Sequence, residues 1–233
     1  MPERIQKILS AHGVASRREA EKMISAGRVS VGGIPAQIGQ SVLPGIDEIT
    51  IDGIPLPPKD ENIYIMLNKP RGYVTTMSDE RGRKTVASLI ADAGVRVYPV
   101  GRLDMNSEGL LLMTNDGAFA NIVSHPSHNI PKTYEVSVSG DASGAVSLLS
   151  RSMVVDFHIV RASSVILKKL TECGGVLRIT INEGRNRQIR KMCEQCDLKV
   201  LSLKRVSIGQ VRLGTLKTGN WRYLTDEERR SLL

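Results

Sequence analysis

At 233 residues, with a formal net charge of +8 and three cysteines, the chain is long enough to bury a core without covalent staples. An odd cysteine count favours a reducing compartment, and Met1-Pro2-Glu3-Arg4-Ile5 lacks the basic-then-apolar pattern of a secretory leader. The longest uninterrupted apolar run, Ile63 to Leu67, is far short of the roughly 20 residues a bilayer span needs. The expectation is a cytoplasmic protein, monomeric and without a membrane segment.

Residues 1–58 read as a separate module. Ile5, Ile8 and Leu9 recur at helical spacing, and Gly13 suits a helix stop. Ser16-Arg17-Arg18-Glu19 has the form of a capping box, opening a second helix with Ala20, Met23 and Ile24 on one face. Val29 and Val31 alternate in a strand that ends at Gly32-Gly33, and Ile49-Thr50-Ile51 with Asp52-Gly53 makes another strand and turn. Arg17, Arg18 and Lys22 charge the second helix, with Arg28 just beyond it; alone, such charges fit any solvated helix face. Pro55-Leu56-Pro57-Pro58-Lys59-Asp60 is the best linker candidate.

Residues 59–233 mix strands with helices. Ile63 to Leu67 reads as a buried strand leading into the loop Asn68-Lys69-Pro70-Arg71-Gly72. Thr85 can cap a helix through Ile90, and Val97 to Val100 is extended. Then comes Gly101-Arg102-Leu103-Asp104-Met105-Asn106-Ser107-Glu108-Gly109, an acid and a base in a glycine-bounded turn, anchored by the apolar strand Leu110 to Met113. Tyr134 to Val138 alternates as a half-buried strand, as does Val176 to Ile181, which ends at Glu183-Gly184-Arg185-Asn186-Arg187. Gln188 to Cys196 has Ile189, Met192, Cys193 and Cys196 at helical spacing. Without regular crossover units, this pattern predicts an α+β domain on a mixed, largely antiparallel sheet with flanking helices.

The charge is concentrated. Between Arg178 and Arg222, eleven basic residues face only Glu183, Glu194 and Asp197, the electrostatic footprint of a polyanion partner. Seven of the eleven are arginine, whose planar fork matches phosphate oxygens.

Nucleotide-driven and dinucleotide redox chemistry lack their glycine motifs, and no Gly-x-Ser-x-Gly occurs. Cys193 and Cys196 with His125 and His128 could complete a zinc site, but both cysteines fit the apolar face of a helix, so no metal and no cofactor are expected. Asp104 and Glu108 could be paired carboxylates for glycosidic hydrolysis. Their spacing makes them face each other only on a helix, whereas Asn106, Ser107 and Gly109 favour a loop. A lone aspartate working beside an arginine is the simpler reading, and an aspartate in a structural turn is its bland alternative.

Two resemblances sharpen this. Ala15-Ser16-Arg17-Arg18-Glu19-Ala20-Glu21 followed by Gly27 to Gly33 resembles the S4 RNA-binding module, in which a helix pair and hairpin grip RNA through phosphates. Gly101 to Asp104, Ser107 to Leu112 and Thr114-Asn115-Asp116-Gly117 resemble the active-site motif of ribosomal RNA pseudouridine synthases, in the group typified by the small-subunit enzyme A and the large-subunit enzymes B and F. Asn68 to Gly72, Lys132-Thr133-Tyr134 and Glu183 to Met192 continue it in order. Ser107 stands where many members have threonine, which keeps a hydroxyl.

The resemblance implies that Asp104 is the catalytic aspartate acting at the ribose C1′ and that Tyr134 stacks on the uracil. It implies that Arg190 pairs with the aspartate, Arg102 fills the gap left by an extruded base, and Leu203 gives an apolar wall. RNA contacts are expected from Arg17, Arg18, Lys22, Arg28, Lys69, Arg71, Arg185 and Arg187. The implied reaction is an isomerisation with no cofactor, on 23S rather than 16S ribosomal RNA or on a subunit precursor. A non-enzymatic S4-type ribosome-assembly protein and a glycosylase using Asp104 and Glu108 are the competing readings.

Overall fold

The computed structural model describes residues 1–233, which fall into two compact units. The smaller comprises residues 1–62 with 94–96 and 115–117; the larger comprises residues 63–93, 97–114 and 118–233.

In the smaller unit β1 (Glu3–Arg4) runs into α1 (Ile5–Ala11), which stops at Gly13 with φ +73°. Helix α2 (Arg17–Ser25) starts where the Ser16 hydroxyl accepts the Glu19 N–H at 3.2 Å, one half of the expected capping box; the Glu19 carboxylate pairs with Lys22 instead of returning to the Ser16 N–H. Strands β2 (Val29–Val31), β3 (Ile34–Pro35), β4 (Ser41–Val42), β5 (Ile49–Ile51) and β6 (Ile54–Pro55) follow. β3-β2-β5-β6 form an antiparallel sheet, and β1 pairs with β4. Ile5, Leu9, Ala20, Ile24 and Val29 make the core. This leaves the polar face of α2 in water.

The larger unit is built on a nine-stranded sheet. Its elements in chain order are β7 (Tyr64–Lys69), β8 (Tyr98–Val100), β9 (Glu108–Thr114), α3 (Gly117–Ser124), β10 (Lys132–Ser139), α4 (Ala142–Leu149), β11 (Met153–Val155) and β12 (His158–Val160). Then come β13 (Ser164–Thr171), β14 (Gly174–Ile181), α5 (Gln188–Glu194), β15 (Lys199–Ile208), β16 (Val211–Arg212), β17 (Trp221–Tyr223) and α6 (Asp226–Arg230). The strand order is β13-β14-β10-β15-β9-β7-β17, with β16 on β15 and β8 on β9; β11 and β12 form a separate hairpin. Only β15 and β9 pair in parallel. β7 and β9, buried from Ile65 to Lys69 and from Gly109 to Met113, are the continuous apolar runs of the sequence. β10 alternates buried and half-buried residues, as its period of two requires. Met66, Leu110, Leu112, Phe119 and Val211 pack into one core cluster. No helix is long and apolar enough to cross a membrane.

Two local expectations change. Thr85 opens only a short 3-10 turn, Val86–Leu89, with no side-chain cap. Thr85 is bridged to Val74, and the Val86 N–H is spent on the Val74 carbonyl at 3.0 Å, so the chain enters extended and tethered. The loop expected from Asn68 starts later, because β7 runs on through Lys69 in register with Gly109.

Candidate active site

Asp104 is held by what surrounds it. β8 ends at Val100, Gly101 turns the chain with φ +73°, and β9 begins at Glu108. Every backbone carbonyl from Leu103 to Ser107 is engaged. The Thr75 hydroxyl donates to the Leu103 carbonyl at 2.6 Å and accepts the Leu103 N–H at 3.2 Å. Lys69 Nζ donates to the carbonyls of Asp104 at 3.1 Å, Ser107 at 2.8 Å and Pro70 at 3.1 Å. The Gly72 N–H donates to the Met105 carbonyl at 2.8 Å, and Arg190 Nη2 to the Asn106 carbonyl at 3.0 Å. None of these bonds uses the carboxylate of Asp104, which is half-buried. The turn is fixed through its backbone and its acid is left for chemistry, the arrangement preorganisation demands.

Lys69 is fully buried, and this corrects its expected role as an RNA contact. All three ammonium donors are committed to protein carbonyls, so none can reach a phosphate. Burial pulls its pKa down to about 8, with Asp104 opposing the shift and Arg205 adding to it. Arg190, on the first turn of α5, is lowered by burial and by Arg187, against the attraction of Asp104. The pairing implied for Arg190 and Asp104 is not made as an ion pair in the structure. The guanidinium's hydrogen bonds go to the Asn106 carbonyl and, at 3.5 Å, to the Ser107 hydroxyl.

The sheet lines up the rest. Tyr134 pairs with Ile179 on one side and Arg205 on the other, and Val136 pairs with Leu203, so Tyr134, Leu203 and Arg205 share a face. Arg205 pairs onward with Gly109, and Gly109 with Lys69. A side chain at Gly109 would put its Cβ 2.2 Å from the Arg205 carbonyl oxygen. Glycine is what lets β9 and β15 close up here. Tyr134 and Leu203 are buried, at 7% and 6% exposure. Arg205, buried and donating through Nε to the Leu110 carbonyl at 2.7 Å, escapes a reading of charge alone. The signal was its parity with Leu203 along an alternating strand.

Arg71, Arg102, Arg185 and Arg187 are exposed around this turn and the start of α5, Arg185 in an ion pair with Glu183 at 2.9 Å. In the smaller unit Arg17, Arg18, Lys22 and Arg28 are exposed on or just after α2. Cys193 is buried in the apolar face of α5, and no cluster of three or more His, Cys, Asp or Glu side chains gathers to hold a metal.

Known families and proteins match the chain over both units. Residues 63–195 match the RNA pseudouridylate synthase family and residues 3–49 the S4 domain. An RNA pseudouridine synthase of Aquifex aeolicus is 39% identical over 98% of this chain and 92% of its own length. The ribosomal large subunit pseudouridine synthase B of Bacillus subtilis is 38% identical over 97% and 93%. A crystal structure of a pseudouridylate synthase, 28% identical, superposes with a TM-score of 0.69 over 99% of both chains. This chain belongs to the RNA pseudouridylate synthase family and carries an S4 domain at its N-terminus.

Proposed function

We propose that this RNA pseudouridine synthase isomerises a uridine of large-subunit (23S) ribosomal RNA, with Asp104 as the catalytic acid-base or nucleophilic group. The C1′–N1 bond breaks, the freed uracil turns, and C1′ bonds to C5; the C5 proton leaves and N1 takes one up. The same atoms enter and leave, so the balance needs no oxidant, reductant or metal. Tyr134 offers its ring face to the uracil, a stacking worth about 1–3 kcal/mol per base, and Leu203 closes the apolar side. A target base must leave its stack; Arg102 fills the gap it leaves, while Arg71, Arg185 and Arg187 hold the flanking phosphates. Residues 1–58 grip the RNA through Arg17, Arg18, Lys22 and Arg28, and residues 59–233 carry the reaction. The protein works as a monomer in the cytoplasm, a setting consistent with its three free cysteines.

The observation that carries this reading is the turn of Asp104, pinned at every carbonyl from Leu103 to Ser107 with its carboxylate spared. The large-subunit preference rests on the relative from Bacillus subtilis. The test is tritium release from ribosomal RNA labelled at uridine C5. Asp104→Asn should abolish release while keeping RNA affinity; release at the wild-type rate would remove Asp104 from the mechanism. Transcripts of 16S RNA run alongside, and release from these alone would move the substrate to the small subunit.

A further inference from the structure

The hairpin β11–β12 stands apart from the main sheet and has two apolar faces. Val155 and Val160 point inward, each 1% exposed. Val154 and Ile159, cross-strand partners on the other face, are 59% and 76% exposed. A surface hairpin ordinarily alternates apolar inside with polar outside. The turn is stranger. Asp156 and Phe157 both have positive φ, +49° and +64°, in a two-residue turn whose second position belongs to glycine. Phe157 is fully exposed, one of only two phenylalanines in the chain. An aromatic side chain is thus held in a strained backbone conformation and pointed at solvent.

The surroundings select the occupant. Arg151 and Arg161 flank the hairpin and are exposed. Its one acid, Asp156, is neutralised by an ion pair with Lys191 of α5. Gln195 Nε2 donates to the Val154 carbonyl at 2.8 Å, fastening the hairpin just past the end of the same helix. Arg190, beside Lys191, holds the Asp104 turn. The apolar tip therefore rides on the helix that reaches the catalytic loop, with its one acid neutralised and two exposed arginines at the open end of the hairpin.

We infer that Phe157 is a base-stacking finger, which takes an unpaired nucleobase of the substrate RNA flanking the target uridine while Arg151 and Arg161, at the open end of the hairpin, face phosphates further along the same strand. Every base has a π-face, so this contact adds affinity for single-stranded segments with little sequence preference. The inference rests on the RNA reading above.

The experiment compares full-length wild type, Phe157→Gly and Phe157→Trp, measuring thermal midpoint, affinity for a 23S ribosomal RNA transcript and tritium release. Glycine relieves the positive φ, so its midpoint should equal or exceed that of wild type while affinity falls about 5- to 100-fold. Phe157→Trp should retain affinity. Opposite signs in stability and binding are what a supporting role in the fold cannot produce. Equal affinity for Phe157→Gly in a wild-type background that releases tritium overturns the finger alone; a wild type that neither binds nor converts RNA overturns the parent reading. A lower midpoint for Phe157→Gly, or self-association of wild type that this variant abolishes, overturns the finger in favour of a packing or subunit contact.

Discussion

Both units expose arginines, but only the larger one also buries cations. In the smaller one Arg17, Arg18, Lys22 and Arg28 stand in water, and the ion pairs Lys22–Glu19 and Arg28–Asp52 are exposed on both sides. In the larger one Lys69 and Arg205 are buried and Arg190 half-buried, and all three donate to backbone carbonyls. An exposed cation attracts phosphate from a distance and asks little of the fold. A buried cation has to be solvated by the protein, so it fixes in place whatever solvates it. Here Lys69 and Arg190 fix the turn of Asp104. The same residue types stand free in water in the smaller unit and, where the larger unit buries them, set geometry.

The largest expected effect comes from Lys69→Met, which keeps the stem and removes the three donors. The carbonyls of Pro70, Asp104 and Ser107 then face a thioether. An orphaned buried acceptor costs about 1–3 kcal/mol, but the desolvation of the cation is also relieved, so the net loss in urea unfolding should be about 2 kcal/mol. Turnover should fall further, on the order of 100-fold, because a turn that shifts by about 1 Å misplaces its acid. RNA affinity should hold. If instead affinity drops and the salt dependence weakens while turnover at saturation survives, Lys69 is a phosphate contact and the contrast between the units breaks.

How far the sequence reached follows the same division. The N-cap at Ser16, the Asp52-Gly53 turn and the alternation of β10 depend on neighbours within a few residues, and the structure reproduces each. The turn from Gly101 to Gly109 was legible for a similar reason, as glycines bound it and an apolar strand follows. Lys69 was misread because its acceptors lie 35 and 38 residues away at Asp104 and Ser107; nothing local says that a lysine after an apolar run will be roofed over. Gly109 was read as a turn boundary, while its tighter constraint comes from the backbone of Arg205 in a parallel neighbour. Phe157 passed unnoticed, since only its positive φ and full exposure make an Asp-Phe pair unusual.

A smaller effect, confined to the larger unit, is an alkaline signature. Lys69 sits at about 8 in the fold against an ordinary 10.5. Between those values the folded chain has released a proton that the unfolded chain still holds, so stability rises with pH. Cys193 works the other way. Burial pushes its thiol from 9.0 up to about 12, so above pH 9 the folded state keeps a proton that the unfolded state loses, and stability falls. Urea unfolding between pH 7.5 and 10 should show the lysine rise up to about pH 9 and a plateau above it, where the two slopes cancel. Lys69→Met should erase the rise and Cys193→Ala should extend it. A flat wild-type profile that neither variant changes would mean that neither group titrates differently on folding.

The smallest effects belong to the exposed cations, and they separate two residues that look alike in sequence. Arg18 projects from α2 with no acidic partner within ion-pair distance, whereas Arg28 is gripped by Asp52, through Nε at 3.1 Å to both oxygens and Nη2 at 2.6 Å to one. That pair holds the Arg28 guanidinium above its ordinary pKa and the Asp52 carboxyl below its own, and it leaves less unneutralised charge facing a phosphate. Arg18→Ala should therefore make the plot of log affinity against log salt shallower by about 1, with the unfolding midpoint unmoved. Arg28→Ala should change that slope by less, and Asp52→Asn should steepen it by freeing Arg28. Equal slopes for all four proteins would mean that α2 does not lie on the RNA, and the charge of the smaller unit would then need another purpose.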